Sequence, residues 1–312
     1  MKILFLTQTS ELGPASRYRV YQFLPALRAA GVEYEVSPAI QSEEYTAYFG
    51  RSKLTKTRFL PRILSRRRRD AKRMAEFDVT FVQKEFSPVG SRGLAGQIVY
   101  DIDDAMFDRM PEGTTRVLAG NEFLASRFPN SVVMPTVVDT ERFRLAERRS
   151  QTAATVGWIG SRTTMKYLED LREIPIKVVS SQAPGFACEF EPWSLEREVE
   201  QVQSFDIGLA PLADTEWERG KCGLKTLQYM ACGIPVVASP VGVQREFVER
   251  SGGGLLAQTI DEWRERIQWL AERSEERRAM GERGRAFVEA NYSLRKWAPR
   301  WVEQVTAVAR GE

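Results

Sequence analysis

Two lysines lie beside glycines in the stretch Gly220–Ser239, at a spacing that suits an anion. Lys221 and Lys225 flank Gly223, and the residues Leu224–Cys232 are expected to form a short helix. The first N–H groups of a helix have no partner within it, and the helix dipole makes this end positive. A glycine-bearing loop that enters a helix is therefore a ready phosphate site. The alternative is an ordinary helix–strand unit with two solvated lysines.

The same stretch also predicts how this helix ends. Gly233 can adopt the left-handed conformation that closes a helix, and Pro235 prevents the helix from continuing. The apolar, β-branched run Ile234–Ala238 is typical of a strand buried on both faces. The stretch thus predicts a loop, a helix, a turn and a strand, in that order.

A second group of chemically active side chains follows the predicted strand Gln97–Ile102. Asp101, Asp103 and Asp104 place three carboxylates at its carboxyl end, where α/β sheets bind their ligands. Such close like charges raise one another's pKa unless a cation lies near. A divalent metal or a sugar hydroxyl would suit them. Alternatively, Asp103 or Asp104 is the N-cap of a short helix.

Composition narrows the chemistry that the chain can perform. The 312 residues include no histidine, which excludes a Ser-His-Asp triad, a histidine base and histidine metal ligands. Three scattered cysteines suit neither a disulfide framework nor a zinc site. No apolar run approaches the roughly 18 residues that span a bilayer. The length predicts two domains, and the cytoplasm is the expected location.

Positive charge is concentrated in the segment Arg51–Arg73. It contains eleven Lys or Arg residues and one acid, Asp70, so its net charge is +10 in a chain of net charge +3. Apolar residues such as Phe59 and Ile63 are interleaved with the basic ones. The segment is expected to contact an anionic membrane surface. A phosphorylated acceptor or a solvated face are the alternatives, and nucleic acid is disfavoured because no nucleic-acid-binding module surrounds the segment.

The first half of the chain predicts a βαβ unit. A strand at Lys2–Thr7 is followed by the turn Gln8–Ser16, a helix at Arg17–Ala30 and a strand at Val32–Val36. The turn contains Gly13 but no G-x-G-x-x-G fingerprint, so a simple NAD site is not indicated.

The second half repeats this plan. Its first elements are the strand Thr155–Ile159, the turn Gly160-Ser161 and a helix at Thr163–Arg172, capped by Thr163 or Thr164. Further along, a long loop at Pro211–Arg219 leads into Gly220–Ser239. One helical region, Asp261–Ala290, and a final helix, Leu294–Ala309, follow. Two α/β halves of similar order are expected to place a site in a cleft between them.

Several stretches resemble one known family. They are Val137–Phe143, Trp158–Ser161, Asp206–Leu212 and Lys221–Gly242. The sequence resembles the family 4-type (group 1) retaining glycosyltransferases, whose GT-B fold has two Rossmann-like doubly wound domains facing a central cleft. This implies an acceptor-side domain at residues 1–140 completed by the helix 294–312, and a nucleotide-sugar-binding domain at residues 141–293.

The resemblance also implies an activity. A sugar would move from a UDP- or GDP-type sugar donor to a glycan, lipid-linked or small-molecule acceptor, with retention of configuration. The leaving phosphate would take the acceptor proton, and neither a metal nor a cofactor would be needed. The enzyme would act in the cytoplasm, peripherally on the inner face of the membrane.

Roles for individual residues follow from the same resemblance. Asp103 and Asp104 would orient the donor sugar or the acceptor, whereas Lys225 and Arg162 would stabilise the leaving diphosphate. Arg17 and Tyr18 would contact the acceptor, or else they are surface positions of the first helix. The residues expected to bind the donor are Gly13, Gly160, Ser161, Lys166, Glu191, Lys221, Cys222, Gly223, Leu224 and Gln228.

Two departures from the family pattern leave other functions open. The family's two glutamates, separated by seven residues, fall at Gly220 and Gln228, and Glu218 is close but out of register. The family's histidine has no counterpart, and Asp101–Asp104 takes roughly its place. A nucleotide-sugar-binding protein or a non-catalytic partner subunit is therefore the alternative. A sugar-nucleotide epimerase is disfavoured because such enzymes use histidines.

Overall fold

The computed structural model describes residues 1–49, 56–84, 96–146 and 153–311. The chain forms two compact units, of which the first combines Met1–Thr136 with Leu294–Glu312 and the second is Val137–Ser293. The predicted domains instead divide after residue 140, with the same return of the last helix to the first unit.

The first unit is built on a parallel sheet. In the part of the unit that the structure describes, the strand order is β2-β1-β3-β4-β5-β6. The order in which successive strands are added changes direction between β1 and β3. The gap between these two strands is therefore the switch point, where α/β sheets bind ligands. The strands are β1 (Lys2–Thr9), β2 (Glu33–Ile40), β3 (Val79–Gln83), β4 (Ile98–Ile102), β5 (Thr114–Ala119) and β6 (Ser131–Val133).

The helices of the first unit cover the faces of this sheet. The predicted helix Arg17–Ala30 is wrong as a single element, because Val20 has non-helical backbone angles (φ −130°, ψ −65°) and separates two short helices. The helix Ser42–Phe49 was not predicted from the sequence. The described helices of this unit are Pro14–Arg19, Leu24–Ala29, Ser42–Phe49, Leu60–Arg73, Glu122–Ala125 and Leu294–Ala309.

The helix Leu294–Ala309 completes the core of the first unit. Trp301 is fully buried, and its ring is stacked on Phe23 at 4.8 Å between ring centres. It also contacts Phe5 and Phe81, which lie on β1 and β3. Aromatic side chains bury 150–250 Å² each, so this cluster is a main source of the unit's stability.

The helix Leu60–Arg73 uses part of its positive charge inside the first unit. Buried Arg67 donates hydrogen bonds to the carbonyls of Thr7 and Ser37 and pairs with Asp70. Its neighbour Arg66 forms two hydrogen bonds with the carboxylate of Glu44. The alternative of a solvated basic face therefore does not hold for these two arginines. Residues 51–55 of the predicted segment lie outside the described residues.

The second unit repeats the parallel sheet. Its order in the described residues is β12-β11-β10-β7-β8-β9, with a switch point between β10 and β7. The strands are β7 (Val156–Ile159), β8 (Lys177–Ser180), β9 (Glu189–Pro192), β10 (Ile207–Ala210), β11 (Val236–Ala238) and β12 (Gly254–Leu256). Together with the helices, these sheets confirm the predicted α/β class with two Rossmann-like units.

Three predicted regions of the second unit differ in detail from the structure. The helix after β7 is Arg162–Met165 with Ser161 as its N-cap, and it continues as a 3₁₀ turn at Lys166–Leu171. The loop Pro211–Arg219 contains a short helix, Glu216–Arg219. The region Asp261–Ala290 is two helices, because Arg273 (φ −117°, ψ 78°) interrupts the helical backbone. The described helices are Arg162–Met165, Glu198–Gln203, Glu216–Arg219, Leu224–Ala231, Val243–Ser251, Ile260–Glu272 and Ser274–Asn291.

Candidate functional site

The second unit gathers cationic side chains at its switch point. Gly160 follows β7 and leads into the helix Arg162–Met165, whereas the loop after β10 leads to Lys221 and Lys225. Since β7 and β10 are neighbours and parallel, their carboxyl ends lie at the same edge of the sheet. The arrangement is the one that the anion-binding hypothesis requires.

The helix Leu224–Ala231 is fixed to both strands by one side chain. The Tyr229 hydroxyl accepts a hydrogen bond from the Ile159 amide at 3.0 Å and donates one to the Leu209 carbonyl at 3.3 Å. Gly208 makes this possible, because a Cβ there would lie 2.4 Å from the Tyr229 ring. The helix N-terminus is thereby held against the carboxyl ends of β7 and β10.

Glycine is required at the start of this helix. Gly223 is the N-cap, with a left-handed backbone (φ 66°), and a Cβ at this position would lie 2.6 Å from the Phe247 ring. Cys222, just before it, is buried, and its thiol lies 3.7 Å from the Gly220 carbonyl. Leu224 is the first helical residue. The predicted glycine loop and helix start are thus present in the structure.

The ammonium group of each of the three lysines at this edge lies over the face of an aromatic ring. The Nζ of Lys225 lies 5.4 Å from the centre of the Trp158 ring. The corresponding distances are 5.3 Å for Lys221 over Trp217 and 4.8 Å for Lys166 over Tyr167. An aromatic face attracts a cation without cancelling its formal charge. Each lysine side chain is therefore positioned in part by the face of an aromatic ring.

Glu218 is held between the two cationic segments. It lies on the short helix Glu216–Arg219, is only 3% exposed, and accepts hydrogen bonds from the hydroxyls of Tyr167 and Thr215. Burial would raise the pKa of Glu218, but these hydrogen bonds and the charge of Lys166 outweigh it and lower the pKa. This glutamate, which the sequence places out of register, is a buried anion with fixed partners.

Two of the predicted donor-binding residues, Gln228 and Glu191, are not among the exposed residues beside Gly160. Gln228 is 3% exposed and lies in the second turn of the Leu224–Ala231 helix. Glu191 lies on the edge strand β9, where it pairs with Lys177 and Arg197, both at 3.0 Å. Because β8 separates β9 from β7, the structure does not place Glu191 beside Gly160. Ser161, Arg162 and Lys166 are exposed next to that glycine.

In the first unit, a buried lysine holds two of the predicted aspartates. Lys84 follows β3 with a left-handed backbone (φ 61°), and its Nζ lies 3.0 Å from Asp103 and also contacts Asp104. Burial alone would lower the pKa of Lys84, but the two carboxylates outweigh it and raise the pKa. The alternative that Asp103 or Asp104 caps a helix is wrong, since the next 3₁₀ turn, Phe107–Arg109, has Met106 as its N-cap.

Asp101 is separated from this pair by a partner of its own. Its carboxylate accepts hydrogen bonds from the Arg19 Nε at 3.1 Å, and both side chains are buried. Burial raises the pKa of Asp101 to about 6 even though the charge of Arg19 opposes the shift. Asp101 therefore serves as an internal anchor for Arg19, whereas Asp103 and Asp104 share Lys84 as their cation.

The turn after β1 is tightly packed against the strand that precedes it. A Cβ on Gly13 would lie 1.9 Å from the Thr9 hydroxyl, so glycine is required there by internal packing. Arg17 and Tyr18 are buried, which makes their assignment to the protein surface wrong. Arg17 donates a hydrogen bond to the Glu11 carbonyl at 2.8 Å and so supports the turn from within.

Across the described ranges, no group of three or more cysteine, aspartate or glutamate side chains is arranged to hold a metal ion. Nor does any described helix have the length and apolar character needed to cross a bilayer.

Residues 162–303 match a family described as glycosyl transferase-like. A search of curated proteins found no significant match. Similar solved structures include Anabaena Alr3699/HepE in complex with UDP-glucose, with a TM-score of 0.75 at 14% identity, covering 98% of this chain and 100% of that one. Sucrose-phosphate synthase from Thermosynechococcus elongatus has a TM-score of 0.73 at 14% identity, with 100% of both chains covered.

A third similar structure is WaaG, a glycosyltransferase involved in lipopolysaccharide biosynthesis. Its TM-score is 0.71 at 12% identity, and the match covers 97% of this chain and 99% of that one. At such identities the likeness shows the fold. Together with the glycosyl transferase-like match over residues 162–303, it bears out the predicted resemblance to glycosyltransferases of the GT-B fold.

Proposed function

We propose that this protein transfers a sugar from a nucleoside-diphosphate sugar to an acceptor hydroxyl, with retention of configuration and without a metal. The observation that carries the proposal is the cationic edge of the second unit. Lys166, Lys221 and Lys225 lie there with Arg162 and the N-terminus of the Leu224–Ala231 helix. Each element favours an anion, and a diphosphate is the anion that a glycosyltransferase must bind.

The chemistry requires stabilisation of charge on the leaving group. As the bond from the anomeric carbon to the diphosphate oxygen breaks, negative charge grows on that oxygen. Lys225, Arg162 and the helix N–H groups supply the compensating positive charge. The acceptor oxygen bonds to the anomeric carbon on the same face, and its proton passes to the departing diphosphate oxygen. This step uses no histidine, and the chain has none.

The uracil nucleotides are the first donors to test. HepE has been solved with UDP and with UDP-glucose, and it shares the fold of this chain. We propose a UDP-sugar donor, with GDP-sugars as the alternative. Thermal stabilisation by a panel of nucleotide sugars tests this, because a ligand at 100 times its Kd adds about 2.7 kcal/mol of stability. Transfer that persists in excess EDTA would support metal independence.

The first unit supplies hydroxyl-binding carboxylates. We assign to Asp103 and Asp104 the orientation of sugar hydroxyl groups of the donor or the acceptor, because their carboxylates are fixed by Lys84. The acceptor itself is proposed only by class, as a glycan, a lipid-linked sugar or a small molecule that carries a hydroxyl group.

A second function is favoured by one observation. Gln228 stands where the family has a carboxylate, and its amide cannot act as one. A protein that binds the nucleotide sugar without transferring it would tolerate this change. Calorimetric binding of the donor without hydrolysis or transfer, in a preparation shown to be folded, would favour this second function.

We also propose that the outward face of the helix Leu60–Arg73 contacts an anionic membrane on the cytoplasmic side. Exposed basic residues lie opposite the buried Ile63, Arg67 and Asp70. Basic side chains near an anionic surface contribute about 1 kcal/mol each. Phe49, 37% exposed, extends the patch with an aromatic ring. The exposed cations are Arg58, Arg62, Arg68, Arg69 and Lys72.

A further inference from the structure

One hydrogen bond joins the two segments that carry the cations of the second unit. Tyr167, in the 3₁₀ turn that follows the helix Arg162–Met165, donates its hydroxyl to the carboxylate of Glu218. These residues are 51 positions apart in the chain. The bond therefore connects the segment after β7 with the segment after β10.

The surroundings of the Glu218 carboxylate suit a structural role and not a catalytic one. Both of its oxygens accept hydrogen bonds, one from Tyr167 and the other from Thr215, and the side chain is buried. A hydrogen bond to a charged acceptor is stronger than one between neutral groups. Removing either partner would leave part of a buried charge unsatisfied.

The backbone on each side of this bond leads directly to a cation. The backbone amide of Lys221 donates a hydrogen bond to the Glu218 carbonyl at 3.1 Å, so Lys221 lies just after the end of the short helix. Lys166 immediately precedes Tyr167 and lies over its ring. The charge of Lys166 also acts on Glu218 and contributes to its lowered pKa.

We propose that Tyr167 and Glu218 are positioning residues, which hold Lys166 and Lys221 at a separation that suits a diphosphate. Neither residue needs to contact the ligand. The inference rests on the proposed function for its ligand, but the bond itself can be tested without one. It also explains how a buried glutamate is used in this loop although Gly220 and Gln228 occupy the positions of the family's carboxylates.

The binding test compares a nucleoside diphosphate with its nucleoside. In the full chain, Tyr167→Phe and Glu218→Gln are each expected to weaken UDP binding about tenfold and to leave uridine binding within twofold of wild type, measured by calorimetry. GDP and guanosine serve as a second pair. Tyr34→Phe is the matched control, since the Tyr34 hydroxyl lies in the first unit and accepts a hydrogen bond from the exposed Arg28 at 2.9 Å. An equal loss of UDP and uridine affinity would overturn the proposal.

Hydrogen exchange without ligand separates this inference from the proposed function. Tyr167→Phe is expected to speed amide exchange in both segments, 161–167 and 215–223, and to leave the strands of the second unit protected. If wild type binds neither UDP nor GDP, the proposed function fails, and exchange still tests the bond. Unchanged exchange in both segments would overturn the inference. The two substitutions should also be non-additive, because they remove the same bond.

Discussion

The ammonium group of Lys225 lies over the ring of Trp158, with 5.4 Å between Nζ and the ring centre, directly beside Gly160. Trp158 is almost completely buried at the end of β7, so its ring cannot readily move. The indole therefore helps to orient the lysine before any ligand arrives. This preorganisation is what electrostatic stabilisation of a leaving group requires.

Replacing this lysine should abolish turnover and spare the fold. Lys225→Ala removes the cation to which we assign stabilisation of the leaving diphosphate, and loss of one such electrostatic contact typically costs about 10²–10³ in kcat. Transfer from labelled donor is the measurement, with circular dichroism to check folding. Lys296→Ala, an exposed lysine of the last helix, is the control. Wild-type turnover in Lys225→Ala would refute the role assigned to it.

The space beside the lysine is as important as its charge. In Gly160→Ala the new Cβ would lie 2.5 Å from Cζ2 of Trp158 and 2.7 Å from Cε of Lys225. The lysine should be displaced, with weaker donor binding and a loss of about 1–3 kcal/mol of stability from overpacking. Urea unfolding and donor titration measure both. Gly185→Ala is the matched control because a Cβ there meets nothing within 4 Å; equal effects at the two sites would contradict the packing argument.

The pair Arg19–Asp101 makes stability depend on pH. Arg19→Met leaves a buried carboxylate without its cation, which typically costs about 3–5 kcal/mol. The pKa of Asp101, already about 6, should rise further, so the folded state binds a proton that the unfolded state releases. Stability of the variant should therefore fall as pH rises from 5 to 8.

Urea unfolding at several pH values tests this prediction. The loss caused by Arg19→Met should be larger at pH 8 than at pH 5, since protonation of Asp101 avoids the buried charge. The exposed Arg28→Met should change stability by about 0.5 kcal/mol or less at either pH. A loss from Arg19→Met that does not vary with pH would mean that packing, and not charge, is the main contribution of this pair.

The basic helix offers a test that separates its two faces. Arg68→Gln, Arg69→Gln and Lys72→Gln together remove three exposed cations and should weaken binding to phosphatidylglycerol-containing vesicles about a hundredfold or more, at about 1 kcal/mol each. Cosedimentation measures this. The control combines Arg295→Gln, Lys296→Gln and Arg300→Gln, three exposed cations of the last helix. If both triple variants bind alike, the helix has no special role at the membrane.

Hydrophobic patterning was sufficient to predict the α/β class and most strands, whereas the GT-B fold was implied by the resemblance to a known family. Runs such as Ile3–Leu6 and Val236–Ala238 are buried strands because only a parallel sheet covered on both faces accommodates them. The glycine turn at Gly223 was equally visible. Helix interruptions at Val20 and Arg273 were not, because neither residue type disfavours a helix strongly enough to mark a break.

The ion pairs and hydrogen bonds of the site could not be predicted in the same way. Arg19 and Asp101 are 82 positions apart, and they meet only because β1, β3 and β4 are adjacent in the sheet. Lys84 likewise reaches Asp103 across neighbouring strand ends. Residue type and spacing suggest which groups can ionise, but the strand order decides which of them become partners.

The position of Trp301 has a consequence for how the chain is made. Its ring fills the space between Phe5, Phe23 and Phe81, which leave the ribosome long before it does. The core of the first unit therefore stays incomplete, with an apolar face of residues 1–136 uncovered, until residues 137–293 have been synthesised. The first unit is therefore completed last. Until then its uncovered apolar face is the kind of surface that chaperones bind.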